Sequence, residues 1–340
     1  MSKGEFGFID YIKEAFAQCT NNTNIKGCQT KGIGDDCAVI PICDGSATCP
    51  DTTEGFTNKD EILFSTDLLM EGVHFLREES SPEDVGWKAA AVNLSDIAAM
   101  GGTPAATFLS IALPKDAQGE WAERFVEGYA EISKLYGVPL IGGDTTSSLR
   151  DIAINVGIMG KCPAGKALCR DGAKVGETIY VTGHLGDSAG GLQVILQGTE
   201  RHAEEAILVE RHMRPSPRIK EGKALRETGL IGAMMDISDG IASDLRHILK
   251  ASEVGAEVDL EKLPISKELY KVCLKHGWDA YELAAGGGED FELLFTAPEE
   301  IASMVDFPVY PIGRIVAGDD LLWLRDGDVA DFDAMGYKHF

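Results

Sequence analysis

Six short acidic patches, each set among glycines, serines or apolar residues, are the parts of this chain best suited to chemistry. They are Gly34-Asp35-Asp36, Ser65-Thr66-Asp67, Asn93-Leu94-Ser95-Asp96, Gly142-Gly143-Asp144-Thr145-Thr146, Asp236-Ile237-Ser238-Asp239-Gly240 and Gly286-Gly287-Gly288-Glu289-Asp290. Carboxylates and hydroxyls are hard oxygen ligands, which Mg²⁺ accepts, usually together with phosphates. The pattern therefore indicates a metal–nucleotide enzyme whose site is assembled from the whole chain.

The segment 81–102 has the clearest helix pattern and carries one of these patches. Ser81 is suited to the N-cap, Pro82 to the first turn, and two glycines follow the last apolar residue. The body, WKAAAVNLSDIAAM, is small and apolar, so we expect a buried helix with Asn93 and Asp96 on one face. A buried charge is costly unless it is paired or bound to a metal. We predict Asp96 as a metal ligand, with a structural cap or an ion pair as the alternative.

Three other patches lie in glycine turns beside strand-like runs. Gly142–Thr146 ends an apolar strand at 138–144, where backbone N–H groups would approach phosphate oxygens and Asp144 would hold a bridging Mg²⁺. Asp236–Gly240 precedes a helix, and its polar residues could instead be simple N-caps. The patch at 286–290 could be a tight turn with solvent-facing acids. Each turn therefore has a structural alternative.

Common catalytic signatures are absent from the sequence. It has no Walker A motif, protein-kinase loop set, nucleophile elbow or H-E-x-x-H, and its one dinucleotide-like glycine run is followed by two aspartates. His74 is the only histidine near a patch. Arg170 and the pair Arg214 and Arg218, which flanks a rigid PSP, could bind phosphate oxygens or form surface ion pairs.

The chain has 340 residues and a formal net charge of −24 at pH 7. The length favours two domains. The charge argues against nucleic acid or an anionic membrane as a partner, and phosphate binding would need divalent cations. No apolar run is long enough to span a membrane and no signal peptide is evident, so we expect a cytoplasmic protein. The 8 cysteines lack zinc-site spacing and are predicted to be free thiols, with a metal or redox role for the group at 28–49 as the alternative.

Strand and helix patterns alternate through both halves. Strands are predicted at 61–69, 105–113 and 154–160, and an amphipathic helix at 118–136. Residues 41–60 have the composition of a surface insertion. A boundary near 161–175, rich in glycine and proline, precedes an α/β second half.

The chain resembles the thiamine-monophosphate kinase family, which belongs to the aminoimidazole ribonucleotide synthetase-like ATP-binding superfamily. The resemblance runs from about residue 4 to residue 340. It is carried, in family order, by GIGDDCAVI, FSTDLLMEGVHF, AVNLSDIAAMGGTPA, LIGGDTTSS, GHLGDSAGGL, RPSPRI, DISDGIASDL, GGGEDFELLFT and GYKHF. The insertion at 41–60 departs from the family pattern.

This resemblance implies an α/β (α+β) fold of two domains, at 1–162 and 163–340. The first would bind ATP and magnesium and form a β-barrel shared across a homodimer, and the second would close the cleft. The implied reaction is phosphorylation of thiamine monophosphate by ATP, the final step of thiamine diphosphate biosynthesis, with several Mg²⁺ ions.

The resemblance also implies individual roles. The implied magnesium ligands are Asp36, Ser65, Thr66, Asp67, Asp96, Asp144, Asp236 and Asp239. The implied ATP contacts are Gly143, Asp144, Arg170 and Ser238. The implied acceptor contacts are His74, Glu289 and Tyr337.

The expected mechanism is direct in-line attack of the acceptor phosphate on the γ-phosphorus, without a phosphoenzyme. Positioning and charge neutralisation dominate phosphoryl transfer, and a phosphate monoester is largely deprotonated near neutral pH, so we predict no acid–base residue. Three alternatives remain: another enzyme of the superfamily, such as a selenophosphate synthetase or a hydrogenase-maturation protein; a non-catalytic nucleotide-binding module; and a structural acidic protein.

Overall fold

The computed structural model describes residues 24–25, 28–29, 35–41, 59–198, 201–332, 334 and 336. Residues 1–16, whose sequence predicts an amphipathic helix, lie outside these ranges, as do residues 42–58 of the insertion and Tyr337. The described strands are β1 (Asn24–Ile25), β2 (Cys28–Gln29), β3 (Ala38–Pro41), β4 (Asp60–Met70), β5 (Thr103–Leu113), β6 (Leu140–Ser147), β7 (Ala153–Pro163), β8 (Thr178–Val181), β9 (Met234–Asp236), β10 (Gly255–Asp259), β11 (Leu293–Ala297), β12 (Tyr310–Val316), β13 (Leu321–Arg325) and β14 (Asp328–Val329).

The described α-helices are α1 (Pro82–Ala99), α2 (Glu120–Tyr136), α3 (Asp187–Leu196), α4 (Ala203–Met213), α5 (Ile219–Thr228), α6 (Ile241–Ser252), α7 (Lys267–His276) and α8 (Ala280–Gly286). Two short 3₁₀ helices, Leu260–Lys262 and Glu299–Ser303, lie in the second half. None of the helices in the described ranges combines the length and hydropathy that a membrane crossing requires.

The first half is built on a five-stranded sheet in the order β3-β4-β7-β5-β6. Neighbouring strands are antiparallel except β5 and β6, which are parallel. Helices α1 and α2 pack against each other, and α1 also contacts β4 and β7. Added Cβ atoms at Gly86 and Gly128 would lie 2.1 Å from the Phe125 carbonyl oxygen and 1.9 Å from that of Glu83. Glycine at these two positions therefore permits the close approach of the two helices.

Side chains along β4 alternate between two faces of this sheet. Leu63 and Leu69 are buried in the core beneath α1, whereas Phe64 and Leu68 are 41% and 53% exposed on the opposite face. Successive side chains of a strand point to opposite faces. This period places Ser65 and Asp67 on the helix-covered face and Thr66 on the open one.

The second half contains a mixed seven-stranded sheet in the order β14-β13-β10-β12-β8-β11-β9. Only β10 and β13 pair in parallel among these strands. Its largest apolar cluster joins the sheet to α6, with Leu245 and Ile248 fully buried. A separate cluster lies among α3, α4 and α7.

Helix α1 joins the two halves. It contacts α5 and β9 of the second half as well as the first sheet. Ala98 and Ala99 are buried in one cluster with Leu225 and Met234. The Ser81 hydroxyl accepts the Asp84 N–H at 3.1 Å, which confirms the predicted N-cap. A single buried helix thus fixes groups from both halves relative to one another.

Most predicted elements are confirmed, including the strands at 61–69, 105–113 and 154–160 and the helix at 118–136. The prediction of a glycine turn at 142–146 is wrong, because β6 continues to Ser147. Residues 142–147 pair in register with 108–113 of β5, and those backbone hydrogen bonds hold the segment extended. Cys37, Cys162 and Cys273 form no disulfide, as predicted.

Candidate active site

Three carboxylates from separate parts of the chain meet in the cleft between the halves. One oxygen each from Asp36, Asp96 and Asp236 lies within 4.8 Å of the others. The Ser65 hydroxyl donates to Asp96 Oδ2 at 2.6 Å. The Ser95 hydroxyl donates to Asp236 Oδ2 at 2.5 Å. Four of the six acidic patches therefore contribute to one cluster.

Local structure explains this convergence. Asp96 lies in the last turns of α1 with its charge directed at the cleft, and Ser65 and Asp67 share the face of β4 that α1 covers. Asp236 is the last residue of β9, a short, fully buried strand. Asp36 lies two residues before β3. Edge strands and a helix of the two halves thus deliver carboxylates to the same point.

The cluster is electrostatically unfavourable without a cation. Burial raises the pKa of Asp67 to about 6, and a hydrogen bond with Asp96 opposes that rise. Burial, reinforced by repulsion from Asp67 and Asp236, raises the pKa of Asp96 well above its usual range. The pKa of Asp236 rises for the same reasons, with Asp36 as its main repulsive neighbour. Grouped carboxylates with raised pKa values are typical of metal and catalytic sites.

Arginine partly balances this charge. The Arg170 Nη2 donates to Asp36 Oδ1 at 2.6 Å. The other oxygen, Asp36 Oδ2, is buried and has no hydrogen-bond partner among the described residues. An unsatisfied buried carboxylate oxygen beside two further carboxylates is the donor set that a magnesium ion fits.

The cluster opens into a cavity of about 580 Å³ between the halves. The cavity brings together most residues that the resemblance implicates. Those lining it are Asp36, Ser65, Asp67, His74, Asp96, Arg170, Asp236, Ser238, Asp239 and Glu289.

Three of the described residues that the resemblance implicates do not line the cavity. Thr66 lies on the open face of the sheet, where its hydroxyl donates to the Val156 carbonyl at 3.0 Å. Gly143 and Asp144 lie on β6, which is exposed along its whole length. Gly143 has a φ of 153°, and an added Cβ would lie 1.7 Å from the Leu109 carbonyl oxygen, so glycine is required there for strand pairing. Tyr337 is outside the described residues, and its role stays a prediction.

The turn that carries Ser238 and Asp239 is held by a residue that the sequence did not single out. Asp244 Oδ2 accepts the backbone N–H groups of Ser238, Asp239 and Gly240 at 3.0, 3.1 and 3.0 Å. Asp244 is 1% exposed in the first turn of α6. These three bonds fix the turn and direct its side chains to the cavity.

At the other end of the cavity, Glu289 is paired with a buried lysine. Lys88 Nζ lies 2.8 Å from Glu289 Oε2, and His212 Nδ1 lies 3.5 Å from the same oxygen. Burial opposes ionisation of Glu289, but Lys88, together with His212 and His74, outweighs it, and the pKa of Glu289 lies below its usual value. Glu289 is therefore a charged group of the cavity wall.

Neither Lys88 nor His212 was predicted from the sequence as a site residue. The signal for Lys88 was present, because a lysine within the apolar body of a buried helix needs a partner for the same reason as Asp96. His212 carried no local signal. Its ring is buried by helix packing and lies beside Lys88 only in the folded chain.

His212 should make the protein acid-sensitive. Burial, together with Lys88, lowers the pKa of His212 from 6.5 to about 3. The unfolded chain therefore binds a proton below pH 6.5 that the folded chain does not, and stability is lost as pH falls from 6.5 towards 3. Relative to His212→Gln, the wild type should lose up to about 1.4 kcal/mol per pH unit in this window, measured by urea unfolding. Parallel stability profiles for both proteins would contradict this assignment.

The arginines around the PSP segment form ion pairs. Arg214 Nε donates to Asp84 at 2.6 Å and its guanidinium lies 5.0 Å from the Trp87 ring. Arg218 forms a two-bond pair with Glu292. The ion-pair alternative is therefore the one that the structure supports for both residues. The Arg214–Asp84 pair links the two halves beside the cavity.

Comparison with known proteins gives consistent matches over most of the chain. Residues 34–162 match the N-terminal domain of AIR synthase related protein, and residues 174–321 match its C-terminal domain. The thiamine-monophosphate kinase of Escherichia coli (strain K12) is 42% identical over 319 residues, covering 91% of both chains.

Two solved structures illustrate the fold. AaThiL complexed with AMPPCP and TMP superimposes with a TM-score of 0.84 at 36% identity, covering 99% of this chain and 97% of that one. The hydrogenase maturation protein HypE in complex with ATP matches with a TM-score of 0.64 at 19% identity, covering 82% and 84%, which shows the fold alone. The chain belongs to the thiamine-monophosphate kinase family of AIR synthase related proteins.

Proposed function

We propose that the protein transfers the γ-phosphoryl group of ATP to thiamine monophosphate, giving ADP and thiamine diphosphate. The observation that carries this proposal is one cavity that joins a buried carboxylate cluster, an arginine and the Glu289 turn. A relative at 36% identity binds AMPPCP and TMP, which supports the same pair of substrates here. For the alternative of another enzyme of the superfamily, the comparison with HypE supports only a similar fold.

We infer that the carboxylate cluster holds magnesium. Asp36, Asp96 and Asp236 would coordinate it, with Ser65, Asp67 and Asp239 beside them on the cavity lining. Thr66 and Asp144 lie away from this cavity in the described chain, and their metal roles stay predictions. Bound magnesium would neutralise charge on the transferring phosphoryl group, which is the main requirement of this reaction. The buried, unsatisfied Asp36 Oδ2 and the raised pKa values of Asp67 and Asp96 support this inference.

The opposite end of the cavity suits the thiamine portion of the acceptor. Glu289 offers a negative charge to the thiazolium, and His74 lies on the same lining with its Nδ1 accepting the Met70 N–H at 3.0 Å. Apolar residues such as Phe75 and Met213 line this part of the cavity. We propose that Tyr337 completes this subsite.

Arg170 and Ser238 are proposed to orient ATP, since both line the cavity next to the carboxylate cluster. The acceptor phosphate needs no strong base, because it is largely deprotonated near neutral pH. The chain's contribution is then to hold the two phosphates in line and exclude water. We expect direct transfer with no phosphoenzyme.

We further propose a homodimer formed through the five-stranded sheet. Its face away from α1 exposes Phe64, Leu68 and Phe108, and the edge strand β6 exposes Leu140 and Ile141. An exposed apolar sheet face with an unpaired edge among the described strands is a typical association surface. Gly143 and Asp144 lie on that strand, so a dimer would bring them into a shared environment.

Two aspartates introduced on this face should separate the subunits. Leu68→Asp with Phe108→Asp buries two charges in the proposed interface, and we expect the variant to sediment as a monomer. The matched control is Leu274→Asp, because Leu274 is 77% exposed on α7 in the other half. A wild type that sediments as a monomer at micromolar concentration would contradict the dimer.

We propose that the chain divides into two domains between residues 162 and 163. The first apolar core lies almost wholly before this boundary, while the seven-stranded sheet lies wholly after it. Phe291 is the exception, since it inserts from the second half into the first core.

The function is tested by ADP release. We expect release to require both thiamine monophosphate and Mg²⁺, with EDTA lowering it by at least roughly a hundredfold and added Mg²⁺ restoring it. Thiamine and an aminoimidazole-type substrate serve as acceptor controls. Nucleotide binding without turnover would instead support the binding-module alternative, and a covalent phosphoprotein trapped from labelled ATP would contradict direct transfer.

A further inference from the structure

Lys88 is a buried cation in the middle of α1. The residue is 2% exposed, although lysine is almost never buried without a partner. Its ammonium lies 2.8 Å from Glu289 Oε2 and 3.5 Å from His212 Nε2. Lys88 does not line the cavity, whereas Glu289 and His212 do. Any effect of Lys88 on a ligand must therefore pass through these neighbours.

The network around Lys88 crosses the cleft. Lys88 comes from the first half, and its partners come from the second: His212 from the end of α4 and Glu289 from the turn before β11. The ring nitrogen His212 Nδ1 lies 2.9 Å from the hydroxyl of Ser188, which lies in the first turn of α3. Lys88 on α1 therefore contacts α4 and the turn before β11 directly, and reaches α3 through His212.

The same helix also carries the carboxylate cluster's central member. Lys88, Val92 and Asp96 are spaced four residues apart, so they follow one face of α1. Val92 and Asp96 both line the cavity. Eight residues of α-helix span roughly 12 Å. Helix α1 therefore sets a fixed spacing between the group that holds Glu289 and the carboxylate cluster.

Glu289 needs such a fixed support. It follows three glycines and has a left-handed φ of 64°. Its backbone N–H donates to the Ser238 carbonyl at 2.7 Å, but its side chain faces a cavity that also contains Asp36, Asp96 and Asp236. Without Lys88, burial would favour protonation of Glu289 or a rotamer that reaches solvent.

We propose that Lys88 is a positioning residue that fixes the Glu289 carboxylate at a set distance from the carboxylate cluster, and so determines affinity for thiamine monophosphate rather than for ATP. This inference rests on the proposed function, in which Glu289 contacts the acceptor. Lys88 itself touches neither substrate.

Lys88→Met tests the proposal, because methionine keeps the length of the side chain and removes its charge. We expect the KM for thiamine monophosphate to rise about tenfold while the KM for ATP changes by less than about twofold, since Glu289, the proposed acceptor contact, loses its charged partner. The matched control is Lys271→Met, which breaks an exposed pair with Glu204 of 2.7 Å and should leave both constants unchanged.

A double variant keeps the test decisive where Lys88→Met folds poorly. Lys88→Met with Glu289→Gln removes both charges, so no unpaired buried charge remains and stability should recover. Its KM for thiamine monophosphate should match that of Glu289→Gln alone, because Lys88 acts only through Glu289. Calorimetric titration with thiamine monophosphate and with AMPPCP should show the same selective loss.

Two results would overturn the inference about Lys88 without affecting the proposed function. They are equal changes in both KM values for Lys88→Met, or a further rise in the KM for thiamine monophosphate when Lys88→Met is added to Glu289→Gln. Either would show that the pair serves stability or that Lys88 acts independently. A wild-type chain that does not turn over thiamine monophosphate would overturn the proposed function as well, and the Lys271→Met control would then be equally inactive.

Discussion

Asp96→Asn is expected to lower kcat by about 10³-fold while leaving the fold intact. Asp96 lies at the centre of the carboxylate cluster, with oxygens of Asp36 and Asp236 within 4.8 Å of its own. Asparagine keeps the shape and can still accept the 2.6 Å bond from the Ser65 hydroxyl. It removes the negative charge that a magnesium ion requires. Steady-state ADP release with saturating substrates measures this loss.

The stability of the same variant should change in the opposite direction. Burial and neighbouring carboxylates raise the pKa of Asp96, which means that its ionised form is disfavoured in the folded protein without metal. Removing that charge should raise the melting temperature of the metal-free protein. Mg-ATP should stabilise the variant less than the wild type, because stabilisation by a ligand falls as its affinity for the folded state falls.

Asp116→Asn provides the control for this experiment. Asp116 is 69% exposed and pairs with Arg77 at 3.1 Å on the surface. Its replacement should leave kcat and the Mg-ATP stabilisation unchanged. An Asp96 variant that keeps more than about a tenth of wild-type kcat would contradict the metal role, since loss of a charged ligand must weaken charge neutralisation.

Local patterns were sufficient to predict much of this site. Helix α1 was recognisable from its N-cap and apolar body, and the alternation of β4 explains why Ser65 and Asp67, but not Thr66, face the cleft. A charge in a buried helix predicted a site at Asp96, and the structure places that residue among two other carboxylates.

Long-range partners could not be predicted in the same way. Lys88 and Glu289 are 201 residues apart, and no local pattern encodes their pairing. The segment at 142–146 has turn composition, yet its parallel pairing with β5 decides its conformation. Propensity describes a segment alone, whereas a neighbouring strand supplies hydrogen bonds that outweigh it.

The PSP segment shows the same limit of local sequence patterns, and here the unpredicted partners affect the stability of the protein. From the sequence, its two arginines could bind phosphate oxygens, but in the folded chain each forms an ion pair with a carboxylate. Glu292 is buried, with a side chain 7% exposed, and it also accepts the Thr182 hydroxyl at 2.7 Å. It lies three residues after Glu289. Arg218 therefore neutralises a charge next to the proposed acceptor turn.

Arg218→Met should destabilise the protein by about 3–5 kcal/mol, because Glu292 would remain buried without its charged partner. Arg314→Met is the matched control: Arg314 forms an equivalent pair with Glu257 at 2.7–2.8 Å but is 67% exposed, so its loss should cost less than about 1 kcal/mol. Urea unfolding of both variants measures the difference. Adding Glu292→Gln to Arg218→Met should recover much of the loss, since it removes the unpaired charge. Equal, small effects for both arginines would mean that water reaches Glu292 in the folded chain.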